Sequence, residues 1–432
     1  MIAPKKVIWA ALVLMSTAAV GIGCAPPSAH GPATSTISVL LPPSERPFWQ
    51  PIANGFEAAH PGTHVDLVEG PQSTDLRESL YTTSLLARDA TFDLVYLDVT
   101  WTPKFAAAGW LRALDDSFPP SEREHFLPHA WDAGIFDGHL YRVPVRTDMG
   151  LLFYRQDWLD SAHVRPPATF EQLAEDAVVL GDPPARWGYV WQGAQYEGLV
   201  CNYLEVLTGY GGYWIDPETN DIGLEDPEAV AAAHFLVDAP QVRASPPGVG
   251  TYQEEESRRI FQDGRAAFLR NWPYAYRLSQ QAGSPLVGHV GVLLMPATDG
   301  GRPSGTLGGW GLGVSTYSKN PELATEFIRY AVSIESQRAL CAPTGYAPAL
   351  EAAYLDSTLL AVNPFLTRFR ALHRHCTVRP AIARYAQASD ILQRHLSAAL
   401  AGIESPQMAL EHAAHETRLL LGPRHPPRGT AG

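Results

Sequence analysis

The stretch 93–116, DLVYLDVTWTPKFAAAGWLRALDD, constrains the fold more than any other. Its run Leu94, Val95, Tyr96 and Leu97 is short and unbroken, the pattern of a strand buried on both faces of a parallel sheet. The run stops at Asp98. Trp101 then precedes a helical segment, 103–108, that Gly109 closes. Open α/β sheets bind ligands at the carboxyl ends of their strands, and Asp98 and Trp101 stand at such an end. A carboxylate accepts hydrogen bonds from hydroxyls and an indole offers a flat apolar face, so the pair suits a sugar. A strand-end turn beside a core tryptophan accounts for the same residues.

Upstream, 36–41 (TISVLL) and 65–68 read as two further strands. Between them Pro47 opens a helix in which Phe48, Ile52 and Phe56 recur every four residues. A helix over 74–88 leads into the 94–97 run. Strand and helix thus alternate as in a parallel α/β lobe with right-handed crossovers. Glu45 and Arg46 occupy the first strand–helix loop, on the same edge as Asp98. Asp75 opens its helix, where the helix dipole alone explains an acid. With 432 residues, the chain is long enough for two such domains.

The second half repeats the theme with more aromatic residues. Thr169-Phe170-Glu171-Gln172 and Asp226-Pro227-Glu228 are helix openings and need no function. Gln195, Tyr196 and Glu197 precede a helix beginning near Gly198. A predicted strand over 266–270 ends in Asn271-Trp272-Pro273-Tyr274, the counterpart of 98–101. GGWGLG at 308–313 is not a dinucleotide fingerprint, because a strand rather than a helix follows its glycines. His373, His375 and Cys376 form one tight cluster without a second, so no metal and no cofactor is expected.

A net charge of −13 argues against nucleic acid or anionic lipid as a partner. At the amino terminus Lys5 and Lys6 precede a mostly apolar run over 7–20, and Gly21-Ile22-Gly23-Cys24 reads as a lipoprotein cleavage site. That run falls short of the ~20 residues needed to span a bilayer. The expectation is a leader over 1–23, an acylated Cys24 and a Pro/Ser-rich tether over 24–35. The protein is then exported and lipid-anchored, facing the periplasm or exterior. Among the remaining cysteines, Cys341 and Cys376 both fall at predicted helix ends, and an oxidising compartment makes them the expected disulfide, with Cys201 left over.

In this order the motifs resemble the solute-binding proteins of ABC sugar importers, in the trehalose/maltose-binding branch of the maltose-binding-protein superfamily, over about 35–420. The resemblance implies a two-lobed periplasmic-binding-protein fold, type II, with three interlobe crossings. Lobe 1 would be 36–145 plus 306–333, and lobe 2 would be 146–305 plus 334–424. The segment 141–154 looks like the first crossing, with Pro144 and Val145 as hinge residues and Asp148 facing the cleft. A third crossing would follow a helix over 321–331. By the same resemblance Glu45 contacts sugar hydroxyls, and Tyr196 and Glu197 face the ligand. Trp272 stacks on a sugar ring with Tyr274 beside it. Gly309 and Trp310 form a glycine–glycine–tryptophan turn in the cleft, and Arg379, before Pro380, donates to hydroxyls. The implied partners are a di- or oligosaccharide such as trehalose or maltose and the transmembrane subunits of an importer, with the receptor a monomer. A peptide or polyamine receptor of the same fold is the alternative. A glycoside-active enzyme would need two carboxyls in distinct roles, and Glu45, Asp98 and Asp148 show none.

Overall fold

The first strand, Ser35–Leu41, lies parallel to Thr63–Glu69 in a register from Ser35 opposite Thr63 to Leu41 opposite Glu69. The helix that joins them, Arg46–Ala59, starts on Pro47 and buries Trp49, Ile52, Ala53 and Phe56. Trp49, not Phe48, leads this stripe. Each fully buried side chain of this size contributes about 1.5–3 kcal/mol. The structure is a computed structural model that describes residues 35–216 and 219–422. The leader, Cys24 and nearly all of the tether lie outside the described residues.

Leu94–Asp98 pairs parallel on the other side of Ser35–Leu41. The sheet then changes direction. Gly305–Val314 runs antiparallel to Leu94–Asp98, and Val143–Met149 runs antiparallel to Gly305–Val314. Ala347–Pro348 closes this edge. The second sheet is ordered Val290–Leu293, Leu151–Arg155, Ala266–Asn271, Trp187–Val190, and the last pair alone is parallel. The helices Tyr385–Leu400 and Pro406–Leu421 pack on this second sheet's lobe through Ala388, Leu392, Leu396, Leu410 and Ala413.

The crossings differ from the expected boundaries. Val143–Met149 carries Pro144 and Val145 wholly within the first sheet, while Leu151 is already in the second, so the chain crosses at Gly150. A Cβ on Gly150 would lie 1.7 Å from Oε1 of Glu205. Glu205 forms a fully buried ion pair with Arg270, and its Oε1 also accepts from the backbone of Thr306 at 3.0 Å. A buried pair of this kind is tolerated when further partners satisfy it. Here those partners include the second crossing strand. The third crossing also moves. Residues 334–372, expected in lobe 2, build onto the first: Ala347 pairs with Thr147, and Ile334–Thr344 packs on Arg46–Ala59. The return falls after Cys376–Thr377, which pairs with Gly305 and Thr306. Periodicity shows that such helices bury a face but not which sheet receives it.

The expected Cys341–Cys376 disulfide is also corrected, because Cys201, Cys341 and Cys376 are all free and buried. Cys341 is held in the Ile334–Thr344 helix and Cys376 in the crossing strand. Proximity to a helix end does not bring two Cβ atoms to bonding geometry.

Candidate functional site

Side chains directly opposite on neighbouring strands share a face of the sheet. Trp310 is opposite Asp98 on one side and Arg146 on the other, and Gly308 is opposite Asp148. Two rows of cleft residues are therefore set by register. Gly309 between them has φ +133°, and a Cβ there would approach the Arg146 carbonyl to 2.7 Å. Its role is to let the backbone pass, and its carbonyl accepts from Val99 at 3.2 Å.

Arg146 is the centre of the first-lobe wall. Its guanidinium donates to Glu45 at 3.0 Å, to the Tyr96 hydroxyl at 3.2 Å and to Oδ2 of Asp148. It also lies 4.0 Å from the centroid of the Tyr346 ring. Glu45 stands at the N-terminus of its helix without capping it, because its carboxylate turns to Arg146 and Tyr96. Asp148 keeps Oδ1 buried and unpartnered. Burial pushes its pKa up to about 6 against the pull of Arg146. Sequence reasoning passed over Arg146. The signal was present: Arg146 and Asp148 are two apart on one strand and so share a face.

Arg379 joins the two lobes. It donates to Oδ1 of Asp98 at 3.1 Å, to Glu197 at 2.7 Å and to the Leu307 carbonyl at 3.2 Å. Its Nε is buried without a partner. Thr100 also donates to Oδ1 of Asp98, twice, and no described residue reaches Oδ2. Glu197 opens its helix and accepts from the hydroxyls of Tyr385 and Ser389 as well. Asp75 is drawn into this group. Burial, then the charges of Glu197, Glu78 and Asp98, push its pKa up to about 7. The helix dipole that explained Asp75 from sequence is therefore not its whole environment.

Trp272 follows its strand and stacks one face on the Arg270 guanidinium, 4.2 Å away, while Nε1 donates to Glu254 at 3.2 Å. The ring is only partly buried, and its edge meets the first lobe at Gly308. Tyr274 donates to Glu255 at 2.9 Å, and its ring is edge-on to Tyr346 at 6.4 Å. Tyr196 caps the Glu197–Gly209 helix and packs over Gly198, with its hydroxyl near Glu254. Trp101 departs from expectation. It is 3% exposed, edge-on to Tyr81, Phe105 and Trp310, and serves as a support for Trp310. Trp310 itself lies between Tyr96, centroids 4.9 Å apart, and the Arg77 guanidinium at 4.7 Å.

The arrangement is chemically specific. Carboxylates and guanidinium groups converge from both lobes around aromatic rings, with acceptors at Asp98 and Asp148 and a donor at Arg379 left over. A ligand rich in hydroxyls can use both. His373 takes no part, since its Nε2 is 2.8 Å from the Thr147 hydroxyl and burial lowers its pKa to about 3. A separate cavity of about 360 Å³ opens on the second lobe beside Trp214, Arg302 and Pro380 and contains none of these groups. No described helix is long and apolar enough to cross a membrane.

Comparison with known proteins agrees with this architecture. The profile of the bacterial extracellular solute-binding proteins matches residues 42–338. A probable ABC transporter-binding protein of Deinococcus radiodurans is 35% identical over 359 residues, 81% of this chain and 85% of its own. A maltotriose-binding protein of Pyrococcus abyssi is 24% identical over 349 residues, 79% of this chain and 71% of its own. The structure of maltose-bound MalE3 from T. maritima matches with a TM-score of 0.84 at 35% identity, covering 89% of this chain and 100% of its own. These relatives are binding proteins by name, and the MalE3 structure shares the two-lobed fold. By the length of the profile match and the identity to its relatives, the chain belongs to the bacterial extracellular solute-binding protein family.

Proposed function

We propose that this protein captures a di- or oligosaccharide, an α-glucoside such as maltose or trehalose, between its lobes and delivers it to the membrane subunits of an ABC importer. One observation carries the reading. The row Asp98, Trp310 and Arg146 on the first sheet meets Arg379, Glu197 and Trp272 from the other side of the cleft. Oδ1 of Asp148 and Nε of Arg379 lie buried there without protein partners. Buried polar atoms cost free energy unless hydrogen-bonded, so a sugar that satisfies them is bound best by the closed lobes. The maltose-bound and maltotriose-binding relatives support a glucoside. Closure is a rotation about the crossings at Gly150, near Gly305 and after Thr377.

Apart from Trp101, which supports Trp310, the side chains expected from sequence keep these roles in the proposal. Asp98, Asp148, Glu45 and Glu197 accept from hydroxyls, Arg379 donates, and Trp272 and Trp310 supply apolar faces. Tyr196 and Tyr274 border them. Anchoring through an acylated Cys24 follows from the sequence around it, and Cys24→Ser should release the exported protein from the membrane fraction.

Titration calorimetry against maltose, trehalose, sucrose, a short peptide and a polyamine tests the reading. A micromolar dissociation constant corresponds to about −8 kcal/mol. Micromolar binding of one α-disaccharide is the expected result. Binding of the peptide or polyamine with no response to any sugar would overturn it.

A further inference from the structure

The hairpin of Tyr385–Leu400 and Pro406–Leu421 brings three ligating side chains together toward its connecting turn, beyond Tyr385 and Ser389, which reach Glu197. His395 comes from the first helix, Glu404 from the connecting turn and His412 from the second helix. Nδ1 of His395 is 3.2 Å from one Glu404 oxygen, and Nδ1 of His412 is 3.2 Å from the other. One donor atom from each residue lies within 4.8 Å of the other two. Tetrahedral zinc, bound at about 2.0–2.1 Å by imidazole nitrogen and carboxylate oxygen, holds neighbouring donors about 3.3 Å apart. Each histidine has that separation from its own Glu404 oxygen, and the three donors, within 4.8 Å of one another, need to draw in by about an ångström or more to share one ion.

We propose that His395, Glu404 and His412 bind a divalent late-transition-metal ion of the zinc class. The surroundings of His395 add an argument that a simple histidine–carboxylate pair does not need. Its Nε2 is 3.0 Å from Glu416, and Glu416 is held in turn by Arg394 at 2.8 Å. With the Nε2 proton donated to Glu416, the lone pair of Nδ1 points at the cluster. Metal-bound histidines are oriented by this kind of outer carboxylate. The ligands are fixed from below, where Leu392, Leu396, Leu410 and Ala413 bury the hairpin in the lobe. They are reachable from above, with His412 half exposed and His395 11% exposed at the side chain. Three protein ligands leave one position for water. An ion there would clamp the turn that joins the last two helices, a role separate from sugar capture.

The test is calorimetry of untagged, EDTA-treated protein with zinc sulfate, and absorption spectroscopy with cobalt(II) as a probe of tetrahedral geometry. One equivalent of zinc is expected to bind and raise the melting temperature. His412→Ala, on an exposed position that leaves the apo fold intact, should abolish binding, as should Glu404→Gln. Glu416→Gln should weaken binding about 10- to 100-fold. Sugar affinity should not change in any of these variants. Failure to bind one equivalent, or binding that survives His412→Ala and Glu404→Gln, would overturn the proposal whatever the cleft binds.

Discussion

Replacing Arg379 by Met keeps most of the side chain's length and removes the charge that bridges the lobes. The guanidinium is buried and donates to Asp98, Glu197 and the Leu307 carbonyl. Breaking a buried ion pair from one side costs about 3–5 kcal/mol, because the remaining charge is left uncompensated. Here both remaining carboxylates keep other donors, Thr100 on Asp98 and the Tyr385 and Ser389 hydroxyls on Glu197. The lower end, about 3 kcal/mol, is therefore expected. If closure holds the sugar, this loss appears as a Kd about 10²-fold weaker. Calorimetry with the sugar bound by the wild type gives the Kd, and small-angle scattering reports whether the variant still closes. The deficit should shrink as pH falls through about 7 and protonation of the nearby Asp75 removes one negative charge from the group. Arg379→Lys should be intermediate, since it keeps the charge and loses the fork. A variant Arg379→Met that binds within threefold of wild type at neutral pH would refute the bridging role.

The remaining expectations are narrower. Trp272→Ala should weaken sugar binding about 10- to 100-fold, as loss of an aromatic anchor does, with little effect on the melting temperature of the free protein. Gly309→Ala should destabilise by about 2 kcal/mol or more in chemical denaturation, from its positive φ and the 2.7 Å approach to the Arg146 carbonyl; an unchanged midpoint would contradict that geometry. Asp75, with its pKa raised to about 7 from 3.8, binds more protons folded than unfolded between those values, so stability falls as pH rises through that window. Asp75→Asn should flatten the decline in melting temperature from pH 5 to 8 and be the more stable form at pH 8. Asp148, raised to about 6, keeps the remaining slope in the same direction. Cys201, Cys341 and Cys376 should react with an alkylating reagent only after unfolding, and a reductant should leave the melting temperature unchanged.

Much of the fold was legible because its signals are local. The run ending at Asp98 marks a buried strand whatever its neighbours, and Asn271-Trp272-Pro273 follows a strand in the second lobe as 98–101 does in the first. Register then carries the local alternation of Gly308, Trp310, Arg146 and Asp148 onto one cleft face. What failed depended on partners distant along the chain. Helices over 334–372 show their apolar faces in sequence, yet which sheet they cover is settled by Ala347 pairing with Thr147. Cys341 and Cys376 share an environment type without sharing a geometry. Trp101 and Trp310 are alike as tryptophans, and only packing makes one a support for the other.

The sequence by itself determined the elements, the acids and aromatics at the strand ends, and a family resemblance specific enough to imply two lobes. Tertiary structure decided which charges are paired. Arg146 reaches Glu45 across 101 residues and Arg379 reaches Asp98 across 281. A charged side chain in sequence carries no sign of its partner, because its protonation and its freedom to bind a ligand depend on burial and on charges a few ångströms away. Those distances are set by how the sheets and crossings pack, so Asp148 and Arg379 acquire their unpartnered atoms, and their suitability for a polyol, only in the folded chain.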